Sequence, residues 1–340
     1  MNLIPLWDRY ASALDTEIKS LIQEQEFPFY DLMEYHLGWR DARNQPAAFS
    51  GGKRLRPTLC LLACEAVGGE WEQALPAATA IELIHNFSLI HDDIEDQSPQ
   101  RRGRPALWKV AGLAQALNAG DGMHVLARLA VYGLAERGVA PQLILQVSRL
   151  LDQTCLNLCE GQYLDLSYES RAEVSVADYL LMAERKTASL IGASLTTGAL
   201  IGGTSAATAA ALGGIGMALG LAFQIRDDIL GLWGDSQSTG KAPGEDILQK
   251  KKSLPLVYAL GQSGPRAAEL RRICAKKRIA PDDVPQVMGL LEELGARQWA
   301  QTQVEEHYRR ALAQMEGIDL TLSGRRDLEA VAALLVEREG

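Results

Sequence analysis

Apolar residues along this chain recur three and four positions apart, strand-like alternation is scarce, and Gly/Pro breaks divide the pattern into long helical segments. Residues 1–45 form an amphipathic helical lead carrying Phe27-Pro28-Phe29-Tyr30 and Tyr35-His36-Leu37-Gly38-Trp39. A loop around Asn44-Gln45-Pro46 leads into Ser50-Gly51-Gly52-Lys53-Arg54-Leu55-Arg56-Pro57, and Pro57 suits the first turn of a helix that runs to about Val67. The spacing predicts further helices over 76–90, 112–136, 141–167, 176–201 and 206–232. Five more are expected over 254–262, 265–276, 282–294, 296–315 and 325–338. A basic loop at 97–105 and a Gly/Ser/Pro loop at 234–245 interrupt them, with no short-period repeat or low-complexity tail. The expected fold is all-α: a single domain over 1–340, one large helical bundle around a central active-site cavity.

Two of these apolar runs end in acidic doublets. Asp92-Asp93-Ile94-Glu95-Asp96 closes the 76–90 segment, and Asp227-Asp228 follows Phe223-Gln224-Ile225-Arg226. On a helix, Asp92 and Asp96 fall on one face, their Cβ atoms about 6 Å apart. Carboxylates gathered in an apolar setting need cations between them. Oxygen-only donors suit Mg²⁺ rather than Zn²⁺. Basic residues follow each doublet: Arg101-Arg102 after the first, Lys241 and Lys250-Lys251-Lys252 after the second. Cations beside metal-binding carboxylates call for a polyanion, and a diphosphate fits. Ser50-Gly51-Gly52-Lys53-Arg54 lacks the Gly-Lys-Ser/Thr ending of a nucleotide loop. Lys53 and Arg56 nevertheless cluster at a helix start, where the dipole repels cations, so they ask for an anion. His85 and His91 are six residues apart and point in different directions; His85 is the stronger substrate-contact candidate.

Composition narrows the classes. The chain has 340 residues, is 47% hydrophobic and carries a formal net charge of −9, which supports a large core and excludes a nucleic-acid partner. Anion binding must therefore be local, because charges are screened over roughly 8 Å at physiological salt. The 5 cysteines are too few for a disulfide scaffold. Cys60/Cys64 and Cys155/Cys159 at i,i+4 read either as a metal or redox pair or as small residues on buried helix faces. Reduced thiols and an N-terminus without a basic, apolar leader point to the cytoplasm. Residues 187–225 contain no charged residue and no histidine, long enough for a membrane span. Their Gly, Ala, Ser and Thr content, and the run into Gln224 and Asp227-Asp228, favour two buried helices turning near Gly202-Gly203-Thr204-Ser205.

Taken together, these residues resemble the trans-isoprenyl diphosphate synthases, the polyprenyl synthetase family, over roughly residues 45–338. Gly52-Lys53-Arg54-Leu55-Arg56-Pro57 is similar to that family's isopentenyl-diphosphate clamp, and Leu89-Ile90-His91-Asp92-Asp93-Ile94-Glu95-Asp96 to its first aspartate-rich motif. Arg101-Arg102-Gly103, Gly161-Gln162 with Asp165, Lys186-Thr187, and Phe223-Gln224 with Asp227-Asp228 resemble further signatures. So do Gly240-Lys241 and Lys251-Lys252-Ser253-Leu254-Pro255. The resemblance implies head-to-tail condensation of isopentenyl diphosphate with an allylic diphosphate (dimethylallyl, geranyl or farnesyl) by a homodimeric, Mg²⁺-dependent prenyltransferase. It implies three Mg²⁺ per site, with Mn²⁺ as the alternative ion. Asp92 and Asp96 would hold two ions and Asp227 a third, supported by Asp165 and Asp228. Arg101, Lys186, Lys241 and Lys251 would contact the allylic diphosphate, with Thr187 and Gln224 near the reacting centre. Lys53, Arg56, His85 and Arg102 would form the isopentenyl-diphosphate site.

One position departs from the family pattern: Gly231 stands where the second motif usually has a third aspartate, and Asp235 is nearby but out of register. In that family the residues five and four before the first aspartate line the elongation tunnel, so the resemblance implies that Phe87 and Ser88 set chain length; one helical turn of about 5.4 Å is close to one isoprene unit. A bulky Phe87, with no two-residue insertion in the first motif, resembles a geranylgeranyl (C20) synthase, with farnesyl (C15) next. Two other functions fit parts of the pattern. A class I terpene cyclase shares the fold but leaves Lys53, Arg56 and Arg102 without a role; a non-catalytic partner subunit would explain Gly231.

Overall fold

The computed structural model describes residues 4–23, 26–49, 52, 54–171, 173–234 and 244–337. Helices α1 (Ile4–Gln23), α2 (Phe29–Leu37), α3 (Leu55–Ala66) and α4 (Leu75–Glu95) open the chain. Strands β1 (Gln100–Arg101) and β2 (Arg104–Pro105) follow, then α5 (Leu107–Ala111), α6 (Leu113–Tyr132), α7 (Pro141–Ser170) and α8 (Val176–Ala183). A π-helical turn at Glu184–Ala188 joins α8 to α9 (Ser189–Ile201), and α10 spans Ala206–Trp233. The last elements are α11 (Glu245–Leu248), α12 (Leu254–Leu260), α13 (Pro265–Cys274), α14 (Val284–Glu293), α15 (Ala296–Glu316) and α16 (Leu322–Glu337). The fold is all-α, and its one described ribbon is too short to be a layer.

The amphipathic lead divides into two helices, the second closed by Gly38 at φ 88°, a left-handed cap that favours glycine. The helix expected over 176–201 is broken by the π turn, and the basic loop after α4 folds into an antiparallel ribbon. That ribbon turns through Arg102 at φ 54° and Gly103 at φ 72°, the paired positive φ values of a tight two-residue hairpin.

Contacts within the chain fall into two compact units: residues 1–155, 190–213 and 318–330, and residues 156–189, 214–317 and 331–340. In the first, α3 and α4 are buried along most of their length. Close helix packing there depends on missing side chains: a Cβ at Gly198 would strike the Cys60 carbonyl, and one at Gly120 would strike the His91 ring. Cys60 and Cys64 are buried in this core, and burial pushes the Cys64 thiol up to about 12. They are space-filling thiols rather than a reactive pair.

In the second unit, Tyr168, Tyr179, Met182, Ile225, Ile229, Leu254 and Val304 form one core cluster; Leu256, Leu270, Ile273, Val287 and Leu291 belong to another. Ser175 caps α8 by accepting from the Asp178 N–H at 3.1 Å, while the Asp178 carboxylate accepts the Ser175 N–H at 3.0 Å. Among the described helices only α10 is long and apolar enough to cross a membrane. Half of its most apolar stretch is buried inside the protein, and its last turns carry Gln224, Asp227 and Asp228, as a core helix feeding a site would.

Candidate functional site

The first acidic motif lies at the C-terminal end of α4. Helical hydrogen bonding continues through the cap, with the Asp96 N–H donating to the Asp92 carbonyl at 2.8 Å, so both carboxylates stay one turn apart. The doublet itself divides by burial. The Asp93 side chain is 2% exposed and the Asp92 side chain 20%. Asp93 receives Arg101 through Nε at 3.0 Å and Nη2 at 2.6 Å, while Nη2 also reaches Asp92 at 3.3 Å. Burial raises the Asp93 pKa and the Arg101 guanidinium pulls it back. Asp93 is thus an anchor for Arg101, and Asp92 with Asp96 remains toward solvent.

The ribbon explains why two adjacent arginines serve different neighbours. Arg101 ends β1 and Arg102 starts the turn, and the change of backbone direction sends their side chains apart. Arg101 goes to the doublet. The Arg102 guanidinium lies against Gly52 and donates to Asn86 Oδ1 at 3.5 Å. Any Cβ at Gly52 would crowd that guanidinium at 3.2 Å, and Gly52 sits at φ 94°, so this position is doubly restricted to glycine. Arg56 Nη1 lies 3.3 Å from His85 Nε2. Burial, then Arg56 and Arg102, pushes the His85 pKa down, so the imidazole is neutral and available as an acceptor. Arg54 caps α3 in a left-handed conformation, φ 43°, and is ion-paired with Asp15 of α1. Arg56, His85, Arg102 and the Gly52 backbone therefore converge as one basic pocket in the first unit. Lys53, Lys241, Gly240 and Asp235 lie outside the described residues.

Sequence patterns missed three groups beneath that pocket: Glu82, Asn86 and His36. Glu82 is 2% exposed and Asn86 0%. His36, on α2, is held at a pKa of about 3 by burial and by Arg102 and Arg101. Their one sequence signal is a polar residue on an otherwise apolar helix face.

In the second unit, Lys186 Nζ contacts Asp165 at 2.5 Å. Gly161 lets α7 pass against the π turn, where a Cβ would strike the Lys186 backbone. That close approach accounts for the glycine of Gly161-Gln162, and π turns recur at functional sites. Thr187 Oγ1 donates to Gln224 Oε1 at 2.7 Å, and Gln224 Nε2 donates to Asp228 Oδ1 at 3.0 Å. Asp228 Oδ2 also accepts from Tyr179 OH at 2.6 Å and from the Leu254 N–H at 2.7 Å. Burial raises the Asp228 pKa to about 7 against these donors. Tyr179, absent from the sequence-derived set, is thus part of this network. Asp227, beside it, has the partly exposed position that Asp92 has in the first motif. At Gly231, a Cβ would collide with the Asp246 carboxylate, so the position of the missing third aspartate faces another acid.

Asp92 and Asp96 offer only carboxylate oxygens. The adjacent imidazole, His91, is turned toward the Leu117 carbonyl at 3.3 Å and Asp121 at 3.6 Å. Among the described residues no three His, Cys, Asp or Glu side chains form a closed metal site. This donor set fits a hard divalent cation that completes its shell with water and ligand oxygens. Phe87 is buried beneath, its ring 4.8 Å from that of His124 and 5.9 Å from that of His91. His124 also lines a small cleft shared by Ile84, Ala127, Val131 and Leu151 and by the polar Arg128 and Asp152. Ser88 turns its hydroxyl back to the His85 carbonyl at 2.8 Å.

Residues 43–291 match the family model described as polyprenyl synthetase. The chain is 40% identical over 319 residues to a geranylgeranyl diphosphate synthase of Mycobacterium tuberculosis, covering 94% of this chain and 89% of the relative. It is 36% identical over 312 residues to a (2E,6E)-farnesyl diphosphate synthase of Mycobacterium bovis, covering 91% and 86%. The crystal structure of a geranylgeranyl pyrophosphate synthase from Corynebacterium glutamicum, complexed with isoprenyl diphosphate and magnesium, is similar with a TM-score of 0.84 and 28% identity. That match covers 99% of this chain and 100% of the other.

Proposed function

The chain belongs to the polyprenyl synthetase family and is a short-chain prenyl diphosphate synthase; from that premise we propose that it makes geranylgeranyl diphosphate in a Mg²⁺-dependent reaction. The observation that carries this reading is the division of the arginine pair. Arg101 is committed to the acidic doublet and Arg102 to a separate basic pocket with Arg56 and His85. Two anion sites suit a condensation of two diphosphates and leave a cyclase, which binds one, with a surplus.

In this reading Asp92 and Asp96 would hold two Mg²⁺ ions and Asp227 a third, and ions bound there would supply positive charge against the leaving diphosphate. Arg101, Lys186, Lys241 and Lys251 bind that diphosphate, Arg101 oriented by Asp93 and Lys186 by Asp165. Lys53, Arg56, His85 and Arg102 hold isopentenyl diphosphate. Ionisation breaks the allylic C–O bond, the double bond of isopentenyl diphosphate attacks the cation, and a proton then leaves to the released diphosphate. The protein's work is charge stabilisation and exclusion of water. Thr187 and Gln224, tied to Asp228, present neutral polar groups near the cation.

Residues 1–340 act as one synthase domain in the cytoplasm, outside the membrane and as a homodimer. Exposed Leu113, Leu117, Val125, Leu129 and Tyr132 on α6 support the dimer, because a row of that size asks for cover.

Purified protein supplied with Mg²⁺, isopentenyl diphosphate and each of dimethylallyl, geranyl and farnesyl diphosphate tests the reading. A linear all-trans C20 product is expected, and no linear product with any primer would defeat it. Phe87→Ala is expected to lengthen the product by at least one C5 unit, since it removes the ring packed on His124, which lines that cleft. An unchanged product ladder would remove Phe87 as the floor.

A further inference from the structure

The basic pocket rests on a buried polar pair that no motif marks. Glu82 and Asn86 sit one turn apart on α4, at 2% and 0% exposure, so water cannot settle their hydrogen bonding. Both donations from Asn86 Nδ2 are spent on Glu82: one to its carbonyl oxygen at 2.8 Å and one to Oε1 at 2.9 Å. An amide so engaged can present only its oxygen on the other side. That oxygen, Oδ1, is the one that accepts from Arg102 Nη2. Among the described residues Glu82 Oε2 has no hydrogen-bond partner, an arrangement tolerated because Arg54, Arg56 and Arg102 surround it with positive charge.

We propose that Asn86 and Glu82 are positioning residues for the isopentenyl-diphosphate site: Glu82 fixes the orientation of the Asn86 amide, and Asn86 Oδ1 aims the Arg102 guanidinium. This rests on the reading that Arg102 binds isopentenyl diphosphate. Neither residue touches substrate. Their effect passes through one guanidinium, whose usefulness to a diphosphate depends on direction as well as charge. The relay needs an acceptor at position 82 rather than a negative charge there, because a glutamine can turn its Oε1 toward Asn86 Nδ2.

Steady-state kinetics on Asn86→Ala, Arg102→Ala, the double variant and Glu82→Gln tests this, with Asn86→Leu replacing Asn86→Ala if the smaller side chain does not fold. Asn86→Ala is expected to raise KM for isopentenyl diphosphate about tenfold, leaving KM for the allylic diphosphate within about twofold. The double variant is expected to be no worse than Arg102→Ala alone, since a relay has nothing left to aim. Glu82→Gln is expected to stay within about threefold of wild type. Effects of Asn86→Ala and Arg102→Ala that multiply, or equal losses in both substrates' KM, would overturn the relay. So would a loss in Glu82→Gln as large as that in Asn86→Ala. An unchanged KM in Arg102→Ala itself would overturn the underlying assignment of Arg102, a different failure from the relay's.

Discussion

The chain writes Asp-Asp twice and builds the two doublets differently. In the first, Asp93 is buried beside a partly exposed Asp92; in the second, Asp227 and Asp228 are both partly exposed, and Asp228 is held by Tyr179. The anchors differ in kind. Asp93 is held by a cation, Arg101, which itself reaches Asp92. Asp228 is held by a phenol, an amide and a backbone N–H, all neutral. A cation counters the cost of burying Asp93, whereas at Asp228 burial, with the nearby Asp246 charge adding to it, outweighs three neutral donors and raises the pKa to about 7. One acidic dipeptide therefore supplies two different devices: an ion-paired arm, and a hydrogen-bonded strut that orders Gln224 and Thr187.

If the first residue of each doublet is the metal ligand, Asp92→Ala and Asp227→Ala should show the largest losses. Each is expected to lower kcat by on the order of 10³ at saturating Mg²⁺. Near-normal turnover in either would break the division into ligand and anchor. The anchors should lose less, on the order of 10–100-fold in kcat/KM, and in different parameters. Asp93→Asn leaves Arg101 without its main partner, so the loss is expected in KM for the allylic diphosphate. Asp228→Asn forces one donor to face an amide NH₂ and disturbs Gln224, so the loss is expected in kcat with allylic KM nearly constant. If both variants moved the same parameter, the two anchors would be equivalent after all.

Much of this was legible beforehand, for identifiable reasons. The helices, Asp92, Asp96, Arg101, Arg102, Arg56 and His85 follow from local spacing, and local spacing survives folding. What stayed hidden depends on segments far apart in sequence. Tyr179 meets Asp228 across 49 positions, and His36 of α2 enters the pocket of α4. Glycines at 52 and 161 read as motif letters, but their reason is steric: one faces a guanidinium and the other the backbone of the π turn. Hydrophobic periodicity does not register one extra residue in a turn, so the π turn at Glu184–Ala188 leaves no mark on the pattern over 176–201. Asn86 and Glu82 were lost inside an apolar run, where two polar positions look like noise.

A smaller effect is expected from the charged surroundings of the first region. His36 titrates at 6.5 when unfolded and at about 3 in the fold, because burial and Arg102 and Arg101 oppose its charge. Between these values the unfolded chain binds the extra proton, so stability falls as pH drops from 6.5 toward 3. Each pH step in that window costs up to about 1.4 kcal/mol. Urea denaturation of wild type and His36→Gln between pH 7 and 4 should show wild type losing stability relative to the variant on acidification. Parallel curves would mean that burial and the arginines exert no such pressure on His36.

The smallest effect is expected at Gly231. Glycine inside a helix ordinarily costs about 0.5–1 kcal/mol relative to alanine, so Gly231→Ala should stabilise α10 if space were free. Space is not free, because the new Cβ meets the Asp246 carboxylate, and the carboxylate must rotate away. The two contributions oppose each other, and the net change is expected within about 1 kcal/mol. Gly231→Asp adds a like charge at the same contact, which costs roughly another 1 kcal/mol where water screens the pair fully. Restoring the family's third aspartate should therefore slightly destabilise the protein and change kcat less than about threefold. Mg²⁺ titrations of wild type, Gly231→Ala and Gly231→Asp check this alongside thermal melts. If Gly231→Asp tightened the Mg²⁺ dependence tenfold, the second doublet would be an incomplete copy of the first. If it did not, the neutral strut around Asp228, with Asp246 packed over Gly231, is a finished arrangement of its own.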